Sequence, residues 1–135
     1  MDRVDSLRKV TLFGGLSRRD LAYVAKLAET KTLRQGSVII RQGADGNEFF
    51  VIEAGNASVV RGRKIVARLG PGDHFGELAL LSNHPRRATV VADTPVTLLV
   101  LGRRAFMSTL GEMPDMAIKL LKSVSTRLRE AYSDS

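Results

Sequence analysis

The stretch Phe75-Gly-Glu-Leu-Ala-Leu-Leu-Ser-Asn-His-Pro-Arg-Arg-Ala-Thr-Val90 differs in composition from the strands and turns on either side of it. It follows Gly70-Pro-Gly-Asp73, which is a strong turn signal. Gly76 permits a tight turn, and residues 77–81 are good helix formers. We therefore predict a single helical turn here, lying between two strands.

This segment has the parts of a small anion site. Free N–H groups at the start of a helical turn suit an anion. Arg86 follows at the beginning of the next strand, with a fixed fork of donors for phosphate oxygens. Glu77 adds an acceptor for a sugar hydroxyl, so the residues indicate a pocket for a phosphorylated sugar. Spacing alone leaves an alternative open, in which Glu77 and Arg86 pair across a surface loop and Gly76 serves only the turn.

Outward from this segment, Thr32 to Gly102 is made of short β-rich runs separated by glycines. Even spacing of short strands predicts a β-sandwich or a barrel-like roll. The runs are Ser37–Arg41, Glu48–Ile52, Ala57–Val60, Lys64–Ala67, Ala88–Val91 and Val96–Val100.

Helical periodicity precedes and follows the β-rich region. Residues 3–30 predict two helices broken at Phe13-Gly-Gly15, with Ser17 as the N-cap of the second. After Gly102 the pattern predicts a short helix over Arg103–Leu110, stopped by Gly111 and Pro114.

A longer helix is predicted from Pro114 to Tyr132, because proline suits the first turn of a helix. Its apolar residues form one narrow stripe, of the kind that packs on a partner helix or across a β-surface. The stripe consists of Ala117, Leu121, Val124, Leu128 and Ala131.

Length and composition exclude several classes of protein. A chain of 135 residues suits one domain, and 44% hydrophobic with 26% charged residues argues against general disorder. The absence of cysteine excludes disulfides, thiolate zinc sites and cysteine nucleophiles, and two histidines do not make a conventional metal site. We find no apolar run long enough for a membrane span and no catalytic motif. We therefore expect a cytoplasmic, non-enzymatic protein without a metal.

The basic residues are in excess, with 21 Lys and Arg against 14 Asp and Glu and a net charge of +7. Such an excess attracts nucleic acid, an acidic surface or a small anionic ligand. The charges are scattered and tryptophan is absent, which favours a solvated surface. Nucleic-acid binding is therefore the least favoured alternative.

The motif F-G-E-L-A-L-L followed by P-R-R-A-T-V resembles the phosphate-binding cassette of the cyclic nucleotide-binding domain family. The similarity extends to Leu12–Ser17, Gly36–Gly43, Phe49–Gly55 and Leu69–Gly76. The resemblance implies an α+β, mainly β fold: an eight-stranded, antiparallel, jelly-roll-like β-roll flanked by N-terminal helices and two C-terminal helices. One domain would span 1–135, with N-terminal helices at 1–30, the roll at 31–102, the cassette at 75–90 and C-terminal helices at 103–132.

The resemblance also implies roles for particular residues. Glu77 would accept a hydrogen bond from the ribose 2′-hydroxyl, and Arg86 would bind the cyclic phosphate. Leu80 would contact the moving C-terminal helices, whereas Phe75 is interpreted as core. Backbone N–H groups would line the same anion at Gly76, Leu78, Ala79, Arg87 and Ala88.

Arg87 departs from the family pattern, in which a small residue follows the phosphate arginine. A hydroxyl at this position contacts guanine in cyclic GMP readers, so Arg87 favours cyclic AMP over cyclic GMP as the ligand. We expect its side chain to be an outward-pointing surface charge. Thr89 is interpreted as strand packing, and His74 and His84 as solvated loop residues.

The expected function is that of a regulatory module that binds cyclic AMP, needs no other cofactor, and signals by movement of its C-terminal helices. An alternative is a β-roll that binds proteins but no nucleotide. The output would lie in a separate effector protein, and the apolar stripe of the last helix would serve as a lid or as a homodimer contact. We expect a stand-alone chain rather than a fragment, because it begins with Met and its N-terminal helices look complete.

Overall fold

The computed structural model describes residues 3–133, and their side chains as far as residue 129. The N-terminal region contains helix α1 (Arg3–Arg8), a 3₁₀ turn (Thr11–Phe13) and helix α2 (Arg18–Leu27). The predicted cap of α2 is confirmed, because the Ser17 hydroxyl accepts a hydrogen bond from the Asp20 N–H at 3.1 Å. The helical region is shorter than the predicted 1–30, since residues 29 and 30 already belong to a strand.

Eight strands form two four-stranded sheets in which every pairing is antiparallel. The strands are β1 (Glu29–Leu33), β2 (Val38–Ile40), β3 (Glu48–Ala54), β4 (Ala57–Arg61), β5 (Lys64–Leu69), β6 (His74–Phe75), β7 (Thr89–Ala92) and β8 (Val96–Gly102). The first sheet has the order β1-β8-β3-β6 and the second the order β2-β7-β4-β5. The predicted fold class is thus present, and the β-rich runs found in the sequence include all of these strands except β1 and β6.

Strands β3 and β8 are buried on both faces and divide the core into two parts. Successive side chains of a strand point to opposite faces, so Phe49 packs in one cluster and Phe50 in the other. The Phe50 cluster lies within the roll, together with Phe75, which is core as predicted. The Phe49 cluster contains residues of the N-terminal and C-terminal helices, so this face of the sheet carries the helical layer.

Two C-terminal helices follow β8, namely α4 (Arg103–Glu112) and α5 (Pro114–Ser133). The predicted stop at Gly111 is wrong, since this residue lies inside α4. One glycine costs a helix only about 1 kcal/mol, so α4 continues through Gly111 to Glu112, and α5 begins after Met113. Between residues 3 and 133, no helix has the length and apolar character that crossing a bilayer requires.

The packed face of α5 differs from the predicted stripe. Met116 and Leu120 are buried, whereas Leu121 is 70% and Leu128 is 53% exposed. The packed face of α5 thus lies one residue before each position of the predicted stripe. Toward the C-terminus this face consists of the polar residues Ser123 and Arg127, so a search for apolar residues did not detect it. Ala131, the last member of the stripe, lies outside the residues whose side chains are described.

Gly55 supplies a direct test of the roll, because it joins β3 to β4 with a φ of +90°. A Cβ atom at Gly55 would lie 2.2 Å from the Pro95 carbonyl oxygen. Gly36 has a similar φ of +85° but nothing within 4 Å of its Cβ position. We expect Gly55→Ala to lower the free energy of unfolding by about 1–3 kcal/mol more than Gly36→Ala does, since only the former overpacks. Urea denaturation of both variants measures this difference, and equal losses would contradict the described packing.

Candidate functional site

The cassette (residues 75–90) begins with a sharp turn into helix α3 (Glu77–Ser82), as predicted. Gly76 precedes the helix with a φ of +95°, a conformation that side chains other than glycine rarely adopt. Space is equally restrictive, since a Cβ at Gly76 would lie 3.0 Å from an Arg86 Nη1 atom and from the Glu48 carbonyl oxygen. The glycine therefore lets the turn lie against the arginine.

Arg86 is only 6% exposed. Its Nη1 donates a hydrogen bond to the Gly76 carbonyl at 2.8 Å, and its Nη2 donates to the Glu48 carbonyl at 2.7 Å. A Cβ at Gly46 would lie 2.5 Å from Nε, so glycines approach the guanidinium from two sides. A guanidinium has five N–H donors, and the two carbonyls therefore leave donors for an anion.

The Glu77 side chain is 1% exposed and does not form the predicted alternative pair with Arg86. Its Oε1 accepts a hydrogen bond from Arg127 Nη1 on helix α5. Arg127 Nη2 also donates to the carbonyl of His74 at 3.1 Å. The second carboxylate oxygen, Oε2, is buried and has no hydrogen-bond partner in the described part of the chain.

The pKa values of Glu77 and Arg86 are both shifted, for physical reasons that are visible in the site. Burial alone raises the pKa of Glu77, but the neighbouring His74 side chain and the charge of Arg127 outweigh this effect, so the pKa lies below the ordinary value. Burial lowers the pKa of Arg86, while Glu48 opposes the shift. Arginine nevertheless stays protonated at neutral pH. Glu77 and Arg86 are therefore both charged at neutral pH.

The remaining predicted ligand residues follow Glu77 or Arg86 directly along the chain. Leu78 and Ala79 lie in the first turn of α3, where backbone N–H groups have no partner inside the helix. Arg87 and Ala88 precede the strand pairing of β7, which begins at Thr89. The Arg87 side chain is exposed, which confirms the expected surface charge.

His74 was expected to be a solvated loop residue, and this prediction is wrong. It lies in strand β6, pairs with Val51, and is 6% exposed. Its ring centroid is 5.6 Å from that of Phe49. The short strand places it beneath α5, a burial that local sequence did not indicate. His84 is exposed as expected.

Arg127 was not predicted as part of the site. It lies four residues after Ser123, whose hydroxyl is 3.4 Å from His74 Nε2. Residues four apart share a helix face, and this face continues the buried line of Met116 and Leu120. The sequence did contain one indication of this role, because residues at helical spacing along α5 change from apolar to polar where the helix reaches the cassette.

The cassette is also tied to helix α4 by Arg103. This residue donates to the Leu80 carbonyl at 3.0 Å and to Asn83 Oδ1 at 2.9 Å, both at the end of α3. Its Nη2 donates to the Gly46 carbonyl at 3.0 Å. A cavity of about 180 Å³ lies beside Arg103, and Ala79 is the one predicted ligand residue that lines it.

Comparison with known proteins identifies the family. The family model "Cyclic nucleotide-binding domain" matches residues 30–112. The cAMP-dependent protein kinase regulatory subunit of Eremothecium gossypii is 39% identical over 113 residues, which cover 83% of this chain and 25% of that protein. The chain belongs to the cyclic nucleotide-binding domain family, and the resemblance drawn from its sequence is confirmed.

Solved structures show the same fold. The regulatory domain of Toxoplasma gondii PKA, crystallised with cAMP, has a TM-score of 0.81 and 28% identity, covering 91% of this chain and 49% of that one. The regulatory subunit of a cAMP-independent protein kinase A from Trypanosoma brucei has a TM-score of 0.81 and 33% identity, covering 91% and 46%. The chain spans about a quarter of the length of the curated relatives it matches.

The depressed pKa of Glu77 predicts a pH dependence of stability. The unfolded chain binds this proton more readily than the folded one, so the stabilisation is complete above the ordinary pKa of 4.5. It is lost as the pH falls from that value through the lower pKa of the folded state. We expect the difference in unfolding free energy between the wild type and Glu77→Gln to shrink between pH 7 and pH 3 in urea denaturation.

Glu112→Gln, which changes an exposed glutamate of α4, is the control for loss of one carboxylate. A wild-type advantage over Glu77→Gln that stays constant across this pH range would contradict the described environment of Glu77.

Proposed function

We propose that this chain binds a cyclic nucleotide, cyclic AMP in the first place, and passes the binding event to its C-terminal helices. The observation that carries the proposal is a pair of buried, charged side chains beside one glycine turn. Arg86 uses two of its five N–H donors on carbonyls, and Glu77 has one oxygen without a hydrogen-bond partner among the described residues. The relatives support it, since one structure is described as a complex with cAMP and curated relatives are named cAMP-dependent.

The proposed roles follow from charge and capacity. A cyclic phosphate carries one negative charge, and Arg86 supplies one positive charge with free donors on a guanidinium already withdrawn from water. Backbone N–H groups of the cassette complete the anion's shell, at Gly76, Leu78, Ala79, Arg87 and Ala88. Glu77 Oε2 is the acceptor for the ribose 2′-hydroxyl, because a buried carboxylate oxygen without a donor gains most from receiving one.

The proposed signal runs through the contacts that join the cassette to the helices. Glu77 would meet the ligand's sugar and is at the same time the partner of Arg127 on α5. Leu80, buried in the cluster that contains Phe106 and Met116, links α3 to both C-terminal helices. A ligand shifts a conformational equilibrium only by its difference in affinity between the two states. Contacts shared by ligand and helix provide such a difference.

The remaining features of the proposal concern the whole protein. We propose one domain over 1–135, no catalytic activity, a cytoplasmic location and a separate effector protein. The exposed Leu121 and Leu128 on α5 are the proposed homodimer contact. A second candidate function is favoured by the T. brucei relative, which is described as a regulatory subunit of a cAMP-independent kinase. In that candidate, the roll binds a protein partner or another ligand but not cAMP.

Replacing the phosphate arginine tests the proposal. We expect Arg86→Ala to weaken cyclic AMP binding by about 2–5 kcal/mol in isothermal titration calorimetry, since a desolvated phosphate would lose its charged partner. Arg86→Lys keeps the charge but not the planar fork, and we expect an intermediate loss.

Arg63→Ala is the matched control, since it removes an exposed arginine from the turn between β4 and β5. We expect this variant to bind like the wild type. If folded Arg86→Ala kept wild-type affinity, the phosphate site would be assigned wrongly. If the wild type gave no heat with millimolar cyclic AMP or cyclic GMP, the second candidate would replace the proposal.

The choice between purines gives a separate prediction. Arg87 offers no hydroxyl for a guanine, so we expect cyclic AMP to bind more tightly than cyclic GMP. We expect Arg87→Thr to narrow the difference by strengthening cyclic GMP binding. Competition against a fluorescent cyclic nucleotide measures both affinities, and equal affinities in the wild type would contradict this interpretation of Arg87.

A further inference from the structure

Two buried polar atoms face each other in the site without a hydrogen bond. They are His74 Nδ1 and Glu77 Oε2, both without a partner among the described residues. They lie 3.6 Å apart, and their side chains are 8% and 1% exposed. A buried polar group without a partner has lost its hydrogen bonds to water and gained none in the protein, which is unfavourable. A small closing movement would satisfy both atoms at once.

The imidazole of His74 is held so that only one of its nitrogens can serve Glu77. Its ring packs against Phe49 at a centroid distance of 5.6 Å, and Phe49 stacks on Phe106 at 4.7 Å. Its Nε2 lies 3.4 Å from the Ser123 hydroxyl on α5. When Ser123 donates to Nε2, the neutral ring carries its proton on Nδ1. That proton points at Glu77.

The two oxygens of Glu77 therefore have different surroundings. Arg127 holds Oε1 from α5, whereas Oε2 lies 3.6 Å from His74 Nδ1 and has no hydrogen-bond partner among the described residues. A carboxylate oxygen has lone pairs for two donors, so Oε2 can accept His74 Nδ1–H and a ligand hydroxyl together. With both oxygens restrained, the carboxylate has one orientation in which to meet the sugar.

We infer that His74 is a positioning residue, which holds Glu77 Oε2 in place for the 2′-hydroxyl of the nucleotide. The inference rests on the proposed function and adds His74 to the residues that recognise the ribose of the nucleotide. It also joins the sugar to helix α5 by a second route, through His74 to Ser123, beside the direct contact of Glu77 with Arg127.

The test compares two ligands that differ by one hydroxyl. Affinities of the full chain for cyclic AMP and 2′-deoxy-cyclic AMP are measured by calorimetry for the wild type and His74→Phe. The phenylalanine keeps a ring packed against Phe49 but has no donor. We expect His74→Phe to weaken the binding of cyclic AMP about three- to tenfold, which corresponds to the loss of one hydrogen bond. We expect 2′-deoxy-cyclic AMP to change by less than about twofold, since the hydroxyl that Glu77 reads is missing from it.

A pair of amide variants keeps the test independent of packing. His74→Asn places its amide nitrogen near the position of Nδ1, and His74→Gln places it near Nε2. We expect the asparagine variant to keep the preference for the 2′-hydroxyl and the glutamine variant to lose it. Thermal melting checks that each variant is folded.

The outcomes separate this inference from the proposed function. If His74→Phe, or the glutamine variant where phenylalanine does not fold, weakens both ligands equally or neither, the residue is structural only and the inference is overturned. In that case binding by the wild type still supports the proposed function. If the wild type binds neither ligand, the proposed function fails and the inference fails with it.

Discussion

The site depends on one buried charge. The Arg86 guanidinium is 6% exposed, and a charge withdrawn from water must be compensated by partners. Two main-chain carbonyls, of Gly76 and Glu48, provide part of this compensation. They come from the turn before α3 and from the start of β3, so the arginine also fixes these two elements relative to each other. Glycine is required at 46 and 76 because a larger residue at either position would displace the guanidinium.

From this charge the structure extends outward to the helices. The turn at Gly76 places Glu77 under α5, where Arg127 reaches it. Arg103 attaches the start of α4 to the end of α3, and Leu80 packs into the cluster beneath both helices. A change at the cassette therefore has polar and apolar connections to the C-terminal region. This arrangement suits a module whose output is a movement of helices.

Much of the roll was predictable, because strands such as Glu48–Ala54 are apolar runs bounded by glycines, and Gly76, Glu77 and Arg86 form a compact motif. Strand β1 was not, since four of its five residues are exposed and carry no apolar alternation. Its place comes from pairing with β8, which is a tertiary interaction. The sequence did not reveal the roles of His74 and Arg127 for the same reason, because both become part of the site only when α5 packs on the cassette. The stripe of α5 was misjudged because its buried face ends in polar residues.

A crystal structure of the chain with cyclic AMP tests the central claim most directly. The account predicts the cyclic phosphate within hydrogen-bonding distance of the Arg86 guanidinium, with the 2′-hydroxyl donating to Glu77. Density for the nucleotide elsewhere on the roll, with the guanidinium bonded only to the carbonyls of Gly76 and Glu48, would contradict it.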